Sequence, residues 1–495
     1  MIKRITILTF FAIALSANLA YAKNVSEQEA RRAAACYMNN LENGKIVDEN
    51  ALSLIYQIDN PELNIPACYF FNVADWGWII MSASTVTDPI VAYNDNGMTL
   101  NINEAPENMM WWVNGYAALI SAKQVEDAKY TLDEDKTWYE LWDNSYTTPK
   151  NGSKANIILL QEAWGQGGNS GDTYNIFCPR DEDGVPTVTG CVATALSQIM
   201  HYYKFPKQGK GINGYRWHNQ TLRLAFDTMF FDYSLMPNII NSSTTLAQRR
   251  EISRLCYAAG VAINMDYGTI ASGGSAAASA AVPNVMFVHF KYKKCTQIYR
   301  DNVGDSTFLA QIRSELELNR PVYMSGASPS HVGNDDRHAF VCDGYKTNQK
   351  KMYHFNWGWE SSGDGYYNLY DNSATGMRIP GQGYSFTDEQ SAMIGLIPPH
   401  PDSTAIDFMP HHEGINDVAL PELYSAYPNP ATHSITLPYS IQNTENMIIY
   451  NVEGKIIEQH TLQPADDHIN INVTNMPAGI YTYRVGGATG KFIVQ

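Results

Sequence analysis

The segment Thr189–Met200 places a cysteine at the start of a predicted buried helix, and it constrains this chain more than any other segment. Val192, Ala195 and Ile199 follow Cys191 at helical spacing. A thiol at a helix N-terminus lies at the positive end of the helix dipole, which lowers its pKa and favours the nucleophilic thiolate. Cysteines in such positions are more often inert core residues. The segment therefore indicates a catalytic nucleophile only if a base and an orienting group occur elsewhere.

A candidate base and a candidate orienting group follow far downstream. His338 opens an apolar run that reads as a strand, and Asn356 with Trp357 ends a second, aromatic strand at Gly358. These side chains would supply a base that takes the thiol proton and a group that holds the base. Cysteine, then histidine, then asparagine is also the chain order of papain-like cysteine peptidases.

Three short segments carry a resemblance to one known family. Residues 189–195 read Thr-Gly-Cys-Val-Ala-Thr-Ala, residues 338–341 read His-Ala-Phe-Val, and residues 356–359 read Asn-Trp-Gly-Trp. In this order, over about residues 25–397, they resemble the streptopain family of cysteine peptidases. The resemblance implies a papain-like, two-lobed α+β domain in which a helical side carries the cysteine and a sheet side carries the histidine.

The same resemblance implies a role for each site residue. Cys191 would attack a peptide carbonyl after His338 has taken the thiol proton, which gives a thiolate–imidazolium pair. Asn356 would hold the imidazole, and Trp357 would shield their hydrogen bond from water. Gln166, on a glycine-rich loop, would complete the oxyanion hole together with the main-chain amide of the cysteine.

Two further residues, Ser275 and Arg337, are implied to bind substrate. Ser275 lies in a run of small side chains, and close packing explains such a run equally well. Arg337 stands where the resembling family has glycine, so it would narrow or charge that edge of the cleft. The family also implies a preference for an apolar side chain at P2, one residue before the scissile one.

Alternatives exist for the base and for the oxyanion donor. His331 lies shortly before His338, and His354 lies within the aromatic strand, so either could compete as the base. His338 is preferred because it alone precedes an apolar strand. Gln161 competes with Gln166 but lacks the adjacent glycines.

The N-terminus and the charge predict an exported protein. Lys3 and Arg4 precede an apolar run, and Ala20-Tyr21-Ala22 offers a small-x-small cleavage site, as in a secretory signal peptide. A membrane anchor is the alternative, but this run is short for a bilayer span, and no later stretch is long and apolar enough. The net charge of -16, without a cluster of lysine and arginine, argues against nucleic acid as a partner.

Seven cysteines in an exported protein raise the question of disulfides. Mostly free, buried thiols are expected, with a few disulfides as the alternative. No Cys-x-x-Cys pair occurs, and neither Asp181–Gly184 nor His411-His412 brings enough ligands, so no metal and no cofactor is expected. Besides Cys191, the cysteines are Cys36, Cys68, Cys178, Cys256, Cys295 and Cys342.

Patterning after the signal peptide predicts an α+β segment, which the resemblance implies to be an inhibitory propeptide. Ser26–Glu29 is typical of a capped helix start, and two apolar runs flank Asp75–Gly77 as in a hairpin. Helical spacing within 101–142 places on one stripe Met109, Trp112, Tyr116 and Leu119.

The C-terminal segment predicts a small all-β sandwich with short alternating strands. Tyr427–Ala431, Pro477–Tyr481 and Gly490–Val494 resemble the type IX secretion C-terminal sorting domain. That resemblance implies passage across an outer membrane, followed by release or surface attachment.

The polar, lysine-containing stretch 145–154 is the predicted site of the activation cleavage. The predicted segments are a signal peptide (1–22), an inhibitory propeptide (23–150), a papain-like peptidase domain (151–397), a linker (398–420) and the β-sandwich (421–495).

Together these features predict the precursor of a secreted cysteine endopeptidase. Its partners would be peptide substrates, its own propeptide as intramolecular inhibitor, and the type IX secretion machinery. One alternative is a surface adhesin with an inactive peptidase-like site. The other is a cysteine amidase or transglutaminase that uses the same residues.

Overall fold

The structure is a computed structural model that describes residues 23–41, 46–130, 135–147, 157–327, 337–346, 349, 351–369, 390–399, 430–438, 444–451, 455–464, 468–485 and 488–495. The predicted signal peptide, His331, most of the predicted cleavage stretch, and all of the predicted linker after residue 399, with His411-His412, lie outside the described residues. The chain forms two compact units, within residues 1–409 and 410–495.

The first unit mixes helices and strands. Its helices are α1 (Glu27–Asn39), α2 (Glu107–Tyr130), α3 (Thr137–Trp142), α4 (Cys191–Tyr203), α5 (Leu246–Ala262), α6 (Val282–Val288), α7 (Arg300–Val303) and α8 (Asp305–Glu317). Its strands are β1 (Leu52–Asn60), β2 (Ile65–Val73), β3 (Gly77–Ser82), β4 (Ile90–Asn94), β5 (Ile157–Ile158), β6 (Ile212–Trp217), β7 (Gln220–Ala225), β8 (Thr296–Tyr299), β9 (Val322–Ala327), β10 (Arg337–Tyr345), β11 (Met352–Asn356), β12 (Gly365–Asn368) and β13 (Ser391–Ile394).

The α+β patterning predicted for the propeptide segment is confirmed. α1 begins at a capping box in which the Ser26 hydroxyl accepts from the Glu29 N–H and the Glu29 side chain accepts from the Ser26 N–H. β2 and β3 form the predicted hairpin across Asp75–Gly77. The four residues of the predicted stripe on α2 are fully buried.

One sheet continues from the propeptide segment into the peptidase segment. Within the described residues it has eleven strands in the order β1-β2-β3-β4-β12-β11-β10-β9-β13-β8, with β5 beside β10. The junction lies where β4 pairs antiparallel with β12, with Tyr93 opposite Tyr366 and Ala92 opposite Tyr367. The propeptide strands therefore extend the peptidase sheet, and both segments belong to one compact unit.

Two lysines of the peptidase segment bind acids of the propeptide segment beside this junction. Lys346 Nζ lies 3.0 Å from Asp95 Oδ2, and Lys351 Nζ forms an ion pair with Asp88. These ion pairs join the two segments in addition to the main-chain pairing of β4 and β12.

The helices pack against opposite faces of the sheet. α2 covers the face that carries Phe340 and Phe355, whereas α1 and α3 pack on the other face of the propeptide strands. α4 and α5 share a further core with Ala339 and Val341 of β10. Because side chains alternate along a strand, β10 directs Ala339 and Val341 toward α4 and Phe340 toward α2.

The second unit is all-β within its described residues, as predicted. A two-stranded sheet, β14-β17, and a four-stranded sheet, β16-β15-β18-β19, contribute side chains to one core, as expected for a β-sandwich. Its strands are β14 (Ser434–Pro438), β15 (Glu445–Tyr450), β16 (Ile456–Leu462), β17 (His468–Asn472), β18 (Gly479–Val485) and β19 (Ala488–Val494).

All seven cysteines are free thiols, so the alternative with disulfides is not seen. Among the described helices, none combines the length and the apolar character that a membrane crossing requires.

Candidate active site

Cys191 is the first residue of α4, in agreement with the predicted helix start. Gly190, directly before it, has a φ of 87°, a left-handed value that side chains other than hydrogen disfavour. A Cβ at residue 190 would lie 2.9 Å from the side chain of Met265. A glycine is therefore required to bring the cysteine to the helix N-terminus.

The loop that precedes α4 is held by hydrogen bonds from two other predicted site residues. The Thr189 N–H donates to the main-chain oxygen of Gln166 at 2.9 Å. The Ser275 hydroxyl donates to the Val188 oxygen at 2.6 Å and accepts from the Gly268 N–H at 2.9 Å. Gln166 and Ser275 thus lie next to the segment that carries the cysteine.

The thiol of Cys191 differs from the sequence-based expectation in its ionisation. Burial raises the pKa of the Cys191 thiol, although hydrogen bonding from the main chain of Ala339, Val192 and Cys191 itself acts in the opposite direction. The negative charge of Glu107, on α2 of the propeptide segment, raises the pKa further. The expected lowering by the helix terminus is therefore outweighed by desolvation, and the precursor favours the protonated thiol.

His338 stands near the start of β10, opposite Gly326 of β9. Its ring centroid lies 6.0 Å from that of Trp111, a residue of α2. The imidazole thus packs against the propeptide segment. Arg337, the other predicted residue here, has its main chain in β10, while its side chain lies outside the described part of the structure.

Four predicted site residues meet at one cavity of about 1470 Å³. Gln166, Cys191, Ser275 and His338 all contribute to its lining, although they come from distant parts of the chain. Gln161, the alternative oxyanion donor, is exposed and lies outside this lining. Cavity geometry therefore favours Gln166 over Gln161.

The propeptide segment forms one wall of the same cavity. Glu107, Met110, Trp111 and Asn114 line it from α2, at a spacing that places them on one helix face. The cleft that contains the candidate nucleophile is therefore bounded by the segment predicted to inhibit it.

Asn356 is buried behind the cavity, and three partners surround its carboxamide. Its Oδ1 accepts from Gln198 Nε2 at 2.9 Å and from the Gly358 N–H at 3.0 Å. Its Nδ2 donates to the main-chain oxygen of Glu162 at 2.8 Å. The side chain is thus firmly held, and its contact with the imidazole stays a prediction.

The two tryptophans that follow Asn356 face different surroundings. Trp357 packs in the core under α2, with its ring 4.6 Å from that of Phe340, and its main-chain N–H donates to Asp364 Oδ1 at 2.8 Å. Trp359 instead lines the cavity. The strand periodicity that would place both on one side ends at Gly358, where a φ of 74° turns the chain.

His354, an alternative base, lies outside the cavity lining. Its Nδ1 is 2.7 Å from Asp343 Oδ1. Burial lowers the pKa of His354, but the charges of Asp343 and Asp364 outweigh it, so the pKa is raised overall. Burial also raises the pKa of Asp364 to about 7. His354 therefore belongs to a buried acid–histidine cluster behind the site.

The raised pKa of Asp364 predicts that the precursor becomes less stable as pH rises from mildly acidic to neutral. Its carboxyl has a pKa of 3.8 ordinarily and about 7 in the folded chain, so in this interval only the unfolded state releases the proton. The free energy of unfolding should fall by up to roughly 4 kcal/mol as pH rises through this interval. The raised pKa of His354 acts in the same direction, because its contribution is lost as pH rises through the folded value.

Asp364→Asn should flatten this pH dependence, because asparagine does not titrate but keeps an oxygen that accepts from the main-chain N–H of Trp357. Urea unfolding of a Cys191→Ala precursor, which cannot cut itself, measures the difference between about pH 4.5 and about pH 7.5. Asp88, whose pKa burial also raises to about 7, retains part of the slope in both proteins. Asp227→Asn, at an exposed position, is the matched control. If the free energy of unfolding of the Asp364→Asn protein changed with pH as steeply as that of the protein with Asp364, the pH dependence would not come from Asp364.

Two residues of the site were missed by sequence reasoning. Trp111 belongs to a mostly apolar helix, and nothing local distinguishes it from a core residue. Gln198 carried a weak signal, because it is a polar residue seven positions after Cys191 and therefore on the same helix face.

Comparison with known families gives three matches along the chain. Residues 164–367 match the Peptidase C10 family, residues 22–120 match the Spi protease inhibitor family, and residues 425–495 match a secretion system C-terminal sorting domain. The last match places the chain among secreted or surface proteins.

Individual relatives agree with these matches. The chain is 28% identical to streptopain from Streptococcus pyogenes over 355 residues, which cover 68% of this chain and 82% of that protein. It is 28% identical to the thiol protease/hemagglutinin PrtT of Porphyromonas gingivalis over 428 residues, 84% of this chain and 45% of that protein. A prointerpain A fragment of Prevotella intermedia has a similar fold, with a TM-score of 0.54 and 24% identity over 70% of this chain and 98% of that one.

Proposed function

Because the chain belongs to the streptopain family of cysteine peptidases, we propose that Cys191, His338 and Gln166 form the catalytic centre of a secreted endopeptidase that is made as a self-inhibited zymogen. The observation that carries the proposal is the convergence of these three side chains on one cavity from three distant segments. Such a convergence of a thiol, an imidazole and a carboxamide is what acyl transfer to cysteine requires.

In the proposed reaction, His338 takes the proton from Cys191 Sγ, and the thiolate attacks the carbonyl carbon of the scissile bond. Gln166 and the Cys191 main-chain N–H donate to the carbonyl oxygen as it becomes negative. The C–N bond then breaks, and His338 gives its proton to the leaving amine. Water, activated by His338, hydrolyses the thioester and restores the thiol. Asn356 holds the imidazole, and Trp357 keeps that contact dry.

Latency in this proposal comes from α2. Its cavity-facing side chains line the cavity that contains the thiol, and Trp111 packs against the imidazole. Glu107 adds a negative charge that disfavours the thiolate. Departure of α2 would remove these effects and open the cleft to a peptide.

The proposed preference for an apolar P2 side chain is supported by the wall around Ser275. The cavity is lined there by Val188 and by the alanines 276–278. An apolar side chain buries against such a wall without leaving a polar group unpaired. Arg337 is proposed to charge the neighbouring edge of the cleft and so to modify this preference.

Thiol alkylation by an epoxide inhibitor tests the proposed function. In the precursor, the raised pKa of Cys191 should make alkylation slow near pH 7 and faster as pH rises through the thiol pKa. In the processed enzyme, a thiolate–imidazolium pair should react quickly and with little dependence on pH between about 5 and 8.

Mass spectrometry of the labelled protein distinguishes Cys191 from the six other cysteines, and a Cys191→Ala protein sets the background. An adhesin with an inactive site would show no fast thiol after processing. A transglutaminase would incorporate an added amine into a peptide instead of releasing a hydrolysed product. Either result would overturn the proposal.

A further inference from the structure

Gln198 lies on the helix that carries the candidate nucleophile, seven residues after Cys191. Residues at this spacing lie on one face of a helix. The same face packs against the loop after β11, because a Cβ at Gly358 would come within 2.9 Å of Thr194 Cγ2. Gln198 is fully buried, and its Nε2 donates to Asn356 Oδ1 at 2.9 Å.

This hydrogen bond is one of three that fix which way the Asn356 carboxamide points. The oxygen and nitrogen ends of a carboxamide have nearly the same shape, so only their partners decide the orientation. Gln198 Nε2 and the Gly358 N–H are donors and therefore require the oxygen end, while the Glu162 oxygen requires the nitrogen end. Only the oxygen end can accept a hydrogen bond from an imidazole N–H.

Stability alone does not explain a glutamine at this position. Gln198 Oε1 is buried and has no hydrogen-bond partner within the described residues. A buried acceptor without a partner is unfavourable, and an apolar side chain of similar volume would avoid this. An arrangement that sacrifices stability in this way is typical of functional sites.

We propose that Gln198 is a positioning residue that keeps the oxygen end of the Asn356 carboxamide turned toward α4, where an imidazole paired with Cys191 must be held. The inference rests on the proposed function, because it assumes that Asn356 orients His338. It adds to the proposed catalytic centre a residue that does not touch substrate and that affects catalysis only by orienting Asn356.

Gln198→Met and Gln198→Glu test the proposal. Each full-length variant is allowed to process itself, active sites are counted with the epoxide inhibitor, and kcat and KM are measured on a peptide across pH. Methionine fills the same space but cannot donate, so kcat should fall roughly 10- to 100-fold with KM nearly unchanged. The thermal midpoint should stay within about 3 °C, because the buried glutamine contributes little to stability.

Gln198→Glu provides a readout that a purely structural role would not move. An ionised glutamate cannot donate to Asn356, whereas a protonated one can. Its kcat relative to the original enzyme should therefore be low at neutral pH and recover as pH falls. Ser197→Ala is the matched control: Ser197 is also buried on α4, but its hydroxyl donates to the Ala193 oxygen at 2.7 Å, and kcat should be unchanged.

The inference would be overturned if the Gln198→Met protein kept the kcat and pH profile of the unsubstituted enzyme. It would also be overturned if the Gln198→Glu protein lost the same fraction of kcat at every pH. If those results appear while Cys191→Ala and His338→Ala proteins are inactive, the proposed function stands and only the role of Gln198 fails. If the unsubstituted enzyme hydrolyses no peptide, both fail together.

Discussion

Cys191→Ala is expected to lower peptide hydrolysis roughly 10⁶-fold and to leave the precursor uncut, because Cys191 carries the only thiol among the described residues that line the cavity. The unsubstituted chain should instead lose its N-terminal segment up to the stretch 145–154. Intact mass, followed over time in a reducing buffer, measures both outcomes. Activity on a short peptide is measured in parallel, so that processing and hydrolysis are recorded separately.

Cys295→Ala is the matched control for this experiment. Cys295 is also a free, half-buried thiol, but it lies outside the lining of the candidate cavity. Its replacement should change neither processing nor peptide hydrolysis. Normal self-processing of the Cys191→Ala protein would show that the nucleophile is elsewhere.

Trp111→Ala is expected to make the precursor start processing itself about 100-fold sooner. Trp111 is only 5% exposed, packs against His338, and would lie within 2.7 Å of a Cβ at Gly326. Removing a buried tryptophan ring costs about 3–5 kcal/mol. Because these contacts join the propeptide segment to the peptidase segment, most of the lost free energy destabilises the closed state. About 3 kcal/mol corresponds to a roughly 100-fold larger equilibrium constant for opening.

Trp111→Phe separates this effect from general loss of stability. Phenylalanine keeps a ring against His338 and should leave a lag close to that of the original precursor. The rate of first cleavage is read from intact mass, and thermal unfolding of both proteins in the Cys191→Ala background reports the stability. An unchanged lag in the Trp111→Ala protein, together with a lowered thermal midpoint, would show that α2 does not control latency.

Local patterns predicted the elements that carry the site. The helix that begins at Cys191 and the strand that carries His338 near its start follow from apolar spacing. Gln166 and Ser275, which the resemblance implied, line the same cavity as Cys191. The all-β C-terminal unit likewise follows from short alternating strands. In each case the signal lies within a dozen residues, where periodicity is informative.

Long-range features were not predictable in the same way. The pairing of β4 with β12 joins residues more than 270 positions apart, and neither strand carries a local sign of its partner. The raised pKa of Cys191 depends on how far the surrounding residues desolvate the thiol, which no helix-start pattern reports. The different surroundings of Trp357 and Trp359 depend on one glycine with a left-handed φ.

Activation as proposed would leave the mature enzyme with an open sheet border. β12 would lose its only outer neighbour within the described sheet, which frees one row of main-chain donors and acceptors and uncovers Tyr366. An exposed edge strand can pair with an extended segment of another chain, and lysines beside the edge disfavour such pairing by charge repulsion. Once their ion pairs with Asp95 and Asp88 are broken, the positive charges of Lys346 and Lys351 would disfavour self-association through this edge.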